Sequence, residues 1–418
     1  MNPVFTYQWN DRTMLSERPD LPFPKAVSVP DSRDPIWLFR RTPGSGRTAL
    51  CPSDPRQLTV EKEDLRFFSP DRLGPAPALP PELLQRVAER RLTAVNLQHP
   101  GWRRALEFLQ PQPDRKKRVH LLAVGDVGGT LLTALKLLGS DCIHTIGICD
   151  LNEKTVARWV AEMSQVSLPW DYASMPQVEA VSPEDLFHCD VFLFAASRSI
   201  PPLGSAVKDV RMAQLEANRA IVEQYARQAR QEHFRGLFLV MSDPVDPLCK
   251  AAWLASNTNE DGTLDHDGLL PEQVQGLGLG VMNARAAALA KQNPAYASFL
   301  TEGRSFGPHG NGLIIANSIA HYDDTVSRAL TQEVVEANLR IRELGFKPYV
   351  APALSSGALQ LLLLLRGQWH CGSVCTGGIW FGCRNRYTPF GLETEALALP
   401  DPLYRRFEET GSILSAIL

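Results

Sequence analysis

The run Leu121-Leu122-Ala123-Val124-Gly125-Asp126-Val127-Gly128-Gly129-Thr130 follows a strand-like stretch and opens a helical pattern. Small residues at such a junction let the backbone turn sharply and bring its N–H groups close to a phosphate. Gly125 would let the main chain approach a pyrophosphate, and Gly128 would allow close helix–strand packing. Val127 lies between them, in the first turn of a helix whose unpaired N–H groups would face the phosphates. About two dozen residues further on, Ile146-Gly147-Ile148-Cys149 ends in Asp150. That carboxylate is placed to accept from both ribose hydroxyls and to repel a 2′-phosphate. A glycine turn alone could simply punctuate a strand–helix junction; together with Asp150 it points to a dinucleotide, NAD in preference to NADP. Ala123 stands where a first glycine is usual. Asp126 is an acid beside the turn, weakening binding if it faces the phosphates and inert if it faces solvent.

The elements that must position these residues begin at Arg118, where short β-rich runs start to alternate with longer helical patterns, as in βαβ units on a parallel sheet. Strands are predicted over 118–124, 143–149, 189–195 and 236–241, and helices over 127–138, 153–165, 210–231 and 246–256. The fold class is therefore α/β: a Rossmann-type doubly wound parallel sheet over 116–256, followed by a mixed α+β substrate domain over 257–418. Residues 1–115 are a proline-rich N-terminal extension of unassigned role. Within the extension, Ile36–Arg40 and Arg47–Leu50 flank a Thr42-Pro43-Gly44-Ser45-Gly46 turn signal. This predicts a hairpin, with partial disorder as the alternative. Helices are expected over Pro81–Val95 and Gly101–Leu109, and Pro111-Gln112-Pro113 reads as a linker. Trp37, Phe39, Phe67 and Phe68 suggest a small apolar core.

From about Arg118 to the C-terminus the chain resembles the lactate/malate dehydrogenase family, through motifs in that family's order. Phe194-Ala195-Ala196 ends a strand where the family usually has Ala-Gly. A loop carrying Arg198, Ser199 and Lys208, the segment that selects substrate, then leads to Arg211-Met-Ala-Gln-Leu-Glu-Ala-Asn218. By the resemblance Arg211 is the loop arginine that closes over the substrate and polarises its carbonyl. Ser242-Asp243-Pro244-Val245-Asp246 is similar to the family's Ser-Asn-Pro-Val-Asp, with Asp243 in place of an asparagine. A carboxylate only accepts, so it cannot donate to a substrate oxygen. Asp243 could instead steady a cationic imino or amino group, or rest in a salt bridge with Arg211 or Arg285. Gly278-Leu-Gly-Val-Met282-Asn-Ala-Arg285 keeps the arginine that grips the substrate carboxylate in a bidentate fork, but carries Met282 at the position of the acid that orients the catalytic histidine. That histidine is matched by His309 in Gly307-Pro308-His309-Gly310-Asn311.

The resemblance implies an NAD(H)-dependent oxidoreductase that moves hydride to or from C2 of a carboxylate-bearing hydroxy/keto or amino/imino substrate. His309 would be the acid/base, Arg285 the anchor and Arg211 the polarising residue; Arg198 and Asp243 would touch substrate. Gly125, Val127, Gly128, Asp150, Ala195 and Ser242 would touch the cofactor. With Met282 in the acid's place, weakened chemistry is expected unless Asp243 or Asp246 substitutes. The reading from another class is an NAD-binding pseudoenzyme that senses the dinucleotide or scaffolds a partner. The family's habit implies a homodimer or tetramer.

Composition excludes several classes. A net charge of −3 over 418 residues, 44% of them hydrophobic and 21% charged, gives no basic field for nucleic acid. Leu361–Leu365 is far short of the roughly 20 apolar residues that span a bilayer, and no signal-peptide core is expected, so a cytoplasmic location is the simplest. Asn257–Gly268 resembles half of a calcium loop but has Gly268 where the bidentate Glu belongs, and it reads as a polar turn. His370, Cys371, Cys375 and Cys383 lack paired metal-ligand spacing; buried thiols and no metal are expected.

Overall fold

The computed structural model describes residues 3–26, 34–42, 46–108, 115–198 and 210–418, apart from the side chains of 210–213. Its N-terminal part builds a sheet of its own from β1 (Phe5–Trp9), β2 (Arg12–Ser16), β3 (Ile36–Phe39), β4 (Ala49–Leu50) and β5 (Thr93–Asn96), in the order β1-β2-β3-β5-β4. The predicted hairpin is corrected here. β5 runs between β3 and β4, parallel to one and antiparallel to the other. All four β5 residues are buried, which suits a central strand, whereas Ala49–Leu50 is too short to be more than an edge. The tip of the supposed turn and the expected linker lie outside the described residues. A second correction concerns the helix predicted over Pro81–Val95. It stops as α1 (Pro81–Glu89) because Arg90 turns left-handed, freeing Thr93–Asn96 for the sheet. α2 (Trp102–Phe108) follows. Trp37, Phe39 and Phe67 share one cluster, while Phe68 packs instead against Phe381 and Phe407 in the C-terminal half.

The parallel sheet follows the predicted alternation. β6 (Lys117–Leu122), α3 (Asp126–Leu138), β7 (Ile143–Cys149), α4 (Glu153–Met163), β8 (Gln177–Ala180), β9 (Val191–Phe194), α5 (Val210–Gln231), β10 (Leu237–Val240), α6 (Val245–Asn257) and β11 (Val274–Gly276) succeed one another. The four predicted strands and four predicted helices are all present, shifted at most by a few residues; β8 is an addition. Strands β9 and β10 are buried at every position because both sheet faces are covered. Phe192, Phe194 and Phe238 pack on one face with α5 and α6, and Val191, Leu193 and Leu239 on the other with α3 and α4.

Beyond β11 come α7 (Leu279–Gln292), α8 (Phe299–Glu302), β12 (Arg304–Phe306), β13 (Ile314–Ala316), α9 (Asp324–Glu343), α10 (Leu359–Leu365), β14 (His370–Thr376), β15 (Ile379–Thr388), β16 (Gly391–Thr394) and α11 (Asp401–Ser415). A π-helical turn, Pro352–Ala358, precedes α10. β14–β16 extend the parallel sheet antiparallel, giving one nine-stranded order β16-β15-β14-β11-β10-β9-β6-β7-β8. β12 and β13 form a separate hairpin. Among the described residues no helix is long and apolar enough to cross a membrane.

Two carboxylates fasten the N-terminal sheet. Glu63, fully buried, bridges Arg41 at 2.7 Å and Arg47 at 2.8 Å, with both guanidinium groups over the ring of Phe67. Glu272, from the turn before β11, accepts the backbone N–H groups of Thr48 and Ala49, and burial pushes its carboxyl up to about 7.

Candidate functional site

Strand register brings the sequence-predicted residues to one edge. Leu122 pairs with both Cys149 and Phe194, Phe194 with Val240, and Val240 with Gly276. The residues one or two places beyond these ends, Ala123, Asp150, Ala195, Ser242 and Leu277, therefore line the carboxyl end of the sheet. The chain reverses direction across the sheet between β6 and β9, which is the switch point where open α/β sheets bind ligands.

The glycine turn is built as a cradle. Ala123 adopts φ 73°, the left-handed conformation of the glycine it replaces. A Cβ on Gly128 would lie 2.0 Å from the Ala123 carbonyl oxygen, so only glycine lets α3 sit this close to β6. A Cβ on Gly125 would meet nothing within 4 Å, leaving the approach to the α3 N-terminus open. Gly125 caps that helix without a side-chain hydrogen bond, so first-turn N–H groups stay available. Asp150 accepts from Val124 N at 2.9 Å and Asn152 N at 3.0 Å, which fixes its carboxylate beside the turn with lone pairs to spare. Exposed Asp126 pairs with Lys347 at 3.3 Å. These features fit a dinucleotide: an open approach, uncapped N–H groups and an acid held beside the turn. A cavity of about 380 Å³ opens on the α3–α4 flank of the turn, lined by Gly125, Gly129, Thr130, Arg158, Trp159 and Tyr349 among others. Neither Asp150 nor His309 is among its lining residues.

At the other end of the edge, His309 sits on the β12–β13 loop. Its backbone is pinned, with its N–H donating to Asp246 at 3.3 Å. A Cβ on Gly278, at the N-terminus of α7, would strike the His309 Cβ at 3.0 Å. The ring Nδ1 stands 2.8 Å from Asp243 Oδ1. A carboxylate only accepts, so Nδ1 carries the proton and Nε2 is the exchangeable nitrogen. Nε2 is buried and has no partner among the described residues. Of the two acids expected as substitutes where Met282 stands, Asp243, just after β10, is the one that meets the ring, while Asp246 holds the His309 backbone. Asp243 meets the imidazole, and its charge also acts on Arg285. Met282 is buried in the α7–α9 cluster.

Arg285 lies two turns beyond Gly278 on the same helix. Its Nη1 approaches the Met282 sulfur at 3.5 Å and its Nη2 donates to Asn338 of α9. Burial lowers this guanidinium below its ordinary value, and the charge of Asp243 opposes the fall. Asp246 is buried, and desolvation pushes it up to about 6. Asn218 of α5, buried, donates to the Asp243 carbonyl at 2.8 Å and accepts from Arg198 N at 2.9 Å, joining the β9 and β10 loops. The Ser242 hydroxyl donates to Ala196 O across the same gap. His309, Asp243, Asp246 and Arg285 are thus brought together. Arg198 follows β9 with an exposed side chain; Ser199, Lys208 and the side chain of Arg211 lie outside the described residues. The sequence reading missed the clamp role of Asn218 and the hold of Asn338 on Arg285. The first had a signal in the Arg211–Asn218 motif; the second depends on α9 folding over α7 and had none.

The other candidates take structural places. Asp265, in the segment that resembles half a calcium loop, pairs with Arg230 at 2.7 Å. Cys375 and Cys383 are buried, and burial raises both thiols. Among the described residues no group of three His, Cys, Asp or Glu side chains is arranged to hold a metal.

No family model matches the chain. It is 22% identical over 243 residues to the L-lactate dehydrogenase of Corynebacterium jeikeium (strain K411), covering 56% of this chain and 68% of that protein. It is 24% identical over 235 residues to the malate dehydrogenase of Sulfurimonas denitrificans, covering 55% and 66%. Among solved structures it is similar to MGS-M5, a lactate dehydrogenase from a Medee basin deep-sea metagenome library, with a TM-score of 0.58 at 16% identity over 73% of this chain and 98% of that one. The Archaeoglobus fulgidus malate dehydrogenase in complex with NADH superposes with a TM-score of 0.56 at 15% identity, covering 72% and 98%. The chain is lactate/malate dehydrogenase-like and divergent, and its fold is the Rossmann-type α/β fold of those structures.

Proposed function

We propose that this protein is an NAD(H)-dependent oxidoreductase that transfers hydride to or from C2 of a small carboxylate-bearing substrate. The observation that carries this reading is the single sheet edge that holds an open glycine turn with Asp150 at one end and a paired histidine beside a half-buried arginine at the other. NAD, when bound, would supply the hydride acceptor or donor. Gly125, Val127 and Gly128 would cradle its pyrophosphate, Asp150 its adenosine ribose, and Ala195 and Ser242 would border its path along the edge. His309 Nε2 gives a proton to the developing alkoxide during reduction and takes it back during oxidation. Arg285 grips the substrate carboxylate. Arg211, from the start of α5, polarises the carbonyl. In this reading residues 116–256 hold the cofactor and lend Arg211 to the substrate, 257–418 bring His309 and Arg285, and 1–115 are an added sheet.

The pseudoenzyme reading gains from Met282 and from Asp243 in place of an asparagine; the Asp243–His309 contact speaks against the first of these and leaves the second standing. The test is titration of the purified protein with NADH and NADPH by fluorescence, followed by 2-keto and 2-imino acids with absorbance of the reduced cofactor as readout. NADH bound more tightly than NADPH, and oxidised by a keto or imino acid, supports the reading; His309→Ala should then abolish oxidation. Binding without oxidation would support the pseudoenzyme, and no binding would overturn both.

A further inference from the structure

We infer that Asp243 is the positioning residue of the catalytic histidine, so that this chain assembles its Asp–His pair from the end of β10 and the β12–β13 loop, with no acid from α7. The inference rests on the functional reading above and adds to it a residue and a role. Four observations carry it. The Asp243 Oδ1 to His309 Nδ1 distance of 2.8 Å is that of a charge-assisted hydrogen bond. The His309 backbone is held independently by Asp246 and by the close approach of Gly278, so what the Asp243 contact sets at His309 is the ring. Met282, one helical turn beyond Gly278, offers a thioether that neither carries charge nor competes for the Nδ1 proton. The Asp243 backbone is fixed in turn, because its carbonyl accepts from buried Asn218.

The consequence is a coupled exchange. The carboxylate that cannot donate to a substrate oxygen is the one that fixes the Nδ1–H tautomer and leaves Nε2 to face the substrate. Two departures that look separately damaging in sequence, Asp243 and Met282, compensate each other in space. Proton movement stays balanced: reduction starts from the doubly protonated ring, Nε2–H gives its proton to the alkoxide as hydride forms the C2–H bond, Nδ1 keeps its proton hydrogen-bonded to Asp243, and solvent then reprotonates Nε2.

Asp243→Ala and the isosteric Asp243→Asn test this. Asp243→Ala should lower kcat by about 10²–10⁴-fold, the usual worth of acid–base catalysis, with the NADH Kd and substrate KM changed no more than about threefold. Because the Asp243 side chain is 47% exposed, formate should reach the gap in the alanine variant and return part of the rate. Asp243→Asn, able to accept from Nδ1 but uncharged, should fall between. A second readout needs no turnover: ¹⁵N-histidine NMR, with His309 assigned by difference against His309→Gln, should show the Nδ1–H form in the parent and a mixture of tautomers in Asp243→Ala. An unchanged kcat in folded Asp243→Ala, or an unchanged tautomer, overturns the inference. If the parent oxidises no substrate, the functional reading fails on that result, and the NMR signature alone decides the role of Asp243.

Discussion

The two glycines of the turn make opposite predictions when each is replaced by alanine. At Gly128 the new Cβ would stand 2.0 Å from the Ala123 carbonyl oxygen, against an ordinary contact of 3.4 Å or more, and neither a Cβ nor a backbone oxygen can rotate away. α3 would therefore have to move from β6 by an ångström or more, disturbing the packing of Leu131 and Leu135 on that face. Overpacking of this kind costs about 1–3 kcal/mol, or about 2–12 °C in Tm for a unit of this size. At Gly125 the same methyl meets nothing within 4 Å, and the backbone φ of −72° is open to alanine. Gly125→Ala should leave Tm unchanged within about 1 °C, yet fill the approach a pyrophosphate needs and weaken NADH by at least about tenfold, or 1.4 kcal/mol. Differential scanning fluorimetry with and without NADH reads both effects on one plate. A Gly125→Ala protein that melts normally and binds NADH like the parent would refute the cradle, and a Gly128→Ala protein with unaltered Tm would refute the packing argument.

Three further outcomes follow from the geometry. Burial raises Asp246 from 3.8 to about 6, so the native state binds its proton more tightly than the unfolded chain. Its contribution is therefore full below about pH 4 and is lost as pH rises through about 6, an effect of up to about 3 kcal/mol. Asp246→Asn should flatten that fall when urea unfolding is compared at pH 4.5 and 6.5. Glu63→Gln removes the carboxylate that neutralises two buried arginines and should cost about 3–5 kcal/mol, seen as early loss of the N-terminal sheet in limited proteolysis; an intact sheet at the parent's urea midpoint would count against the buried bridge. Ala123→Gly relieves a left-handed alanine and should raise stability by up to about 1 kcal/mol, an increase that thermal unfolding would register or deny.

Much of the α/β core was legible because its signals are local. The strand ending at Cys149, the helix over Val210–Gln231 and the glycine turn each announce themselves through apolar runs, helical period and small residues in one stretch of chain. The N-terminal sheet was not legible, since β5, which lies between β3 and β4, comes from about fifty residues further on and no local pattern encodes that pairing. The site divided along the same line. His309, Arg285 and Asp150 stand at recognisable spacings, and the structure places them on one edge. That Asp243 would meet the imidazole, 66 positions away, required the loop geometry set by Asn218 and Gly278.

The meeting of β4 with β16 has a consequence for how the molecule lives among its own copies. Each is the last strand of its sheet, and an outermost strand offers a row of unsatisfied amides to any other chain. Here the two borders face each other: Cys51 N donates to Leu392 O, Thr93 reaches Phe390 O, and Arg90 binds Glu393. Each sheet thereby shields the other's adhesive margin. At the far border, β8 is short and half-exposed, with Glu179 tied to Arg118. The N-terminal sheet can thus keep one margin of the nine-stranded sheet from recruiting a tenth strand from a neighbour.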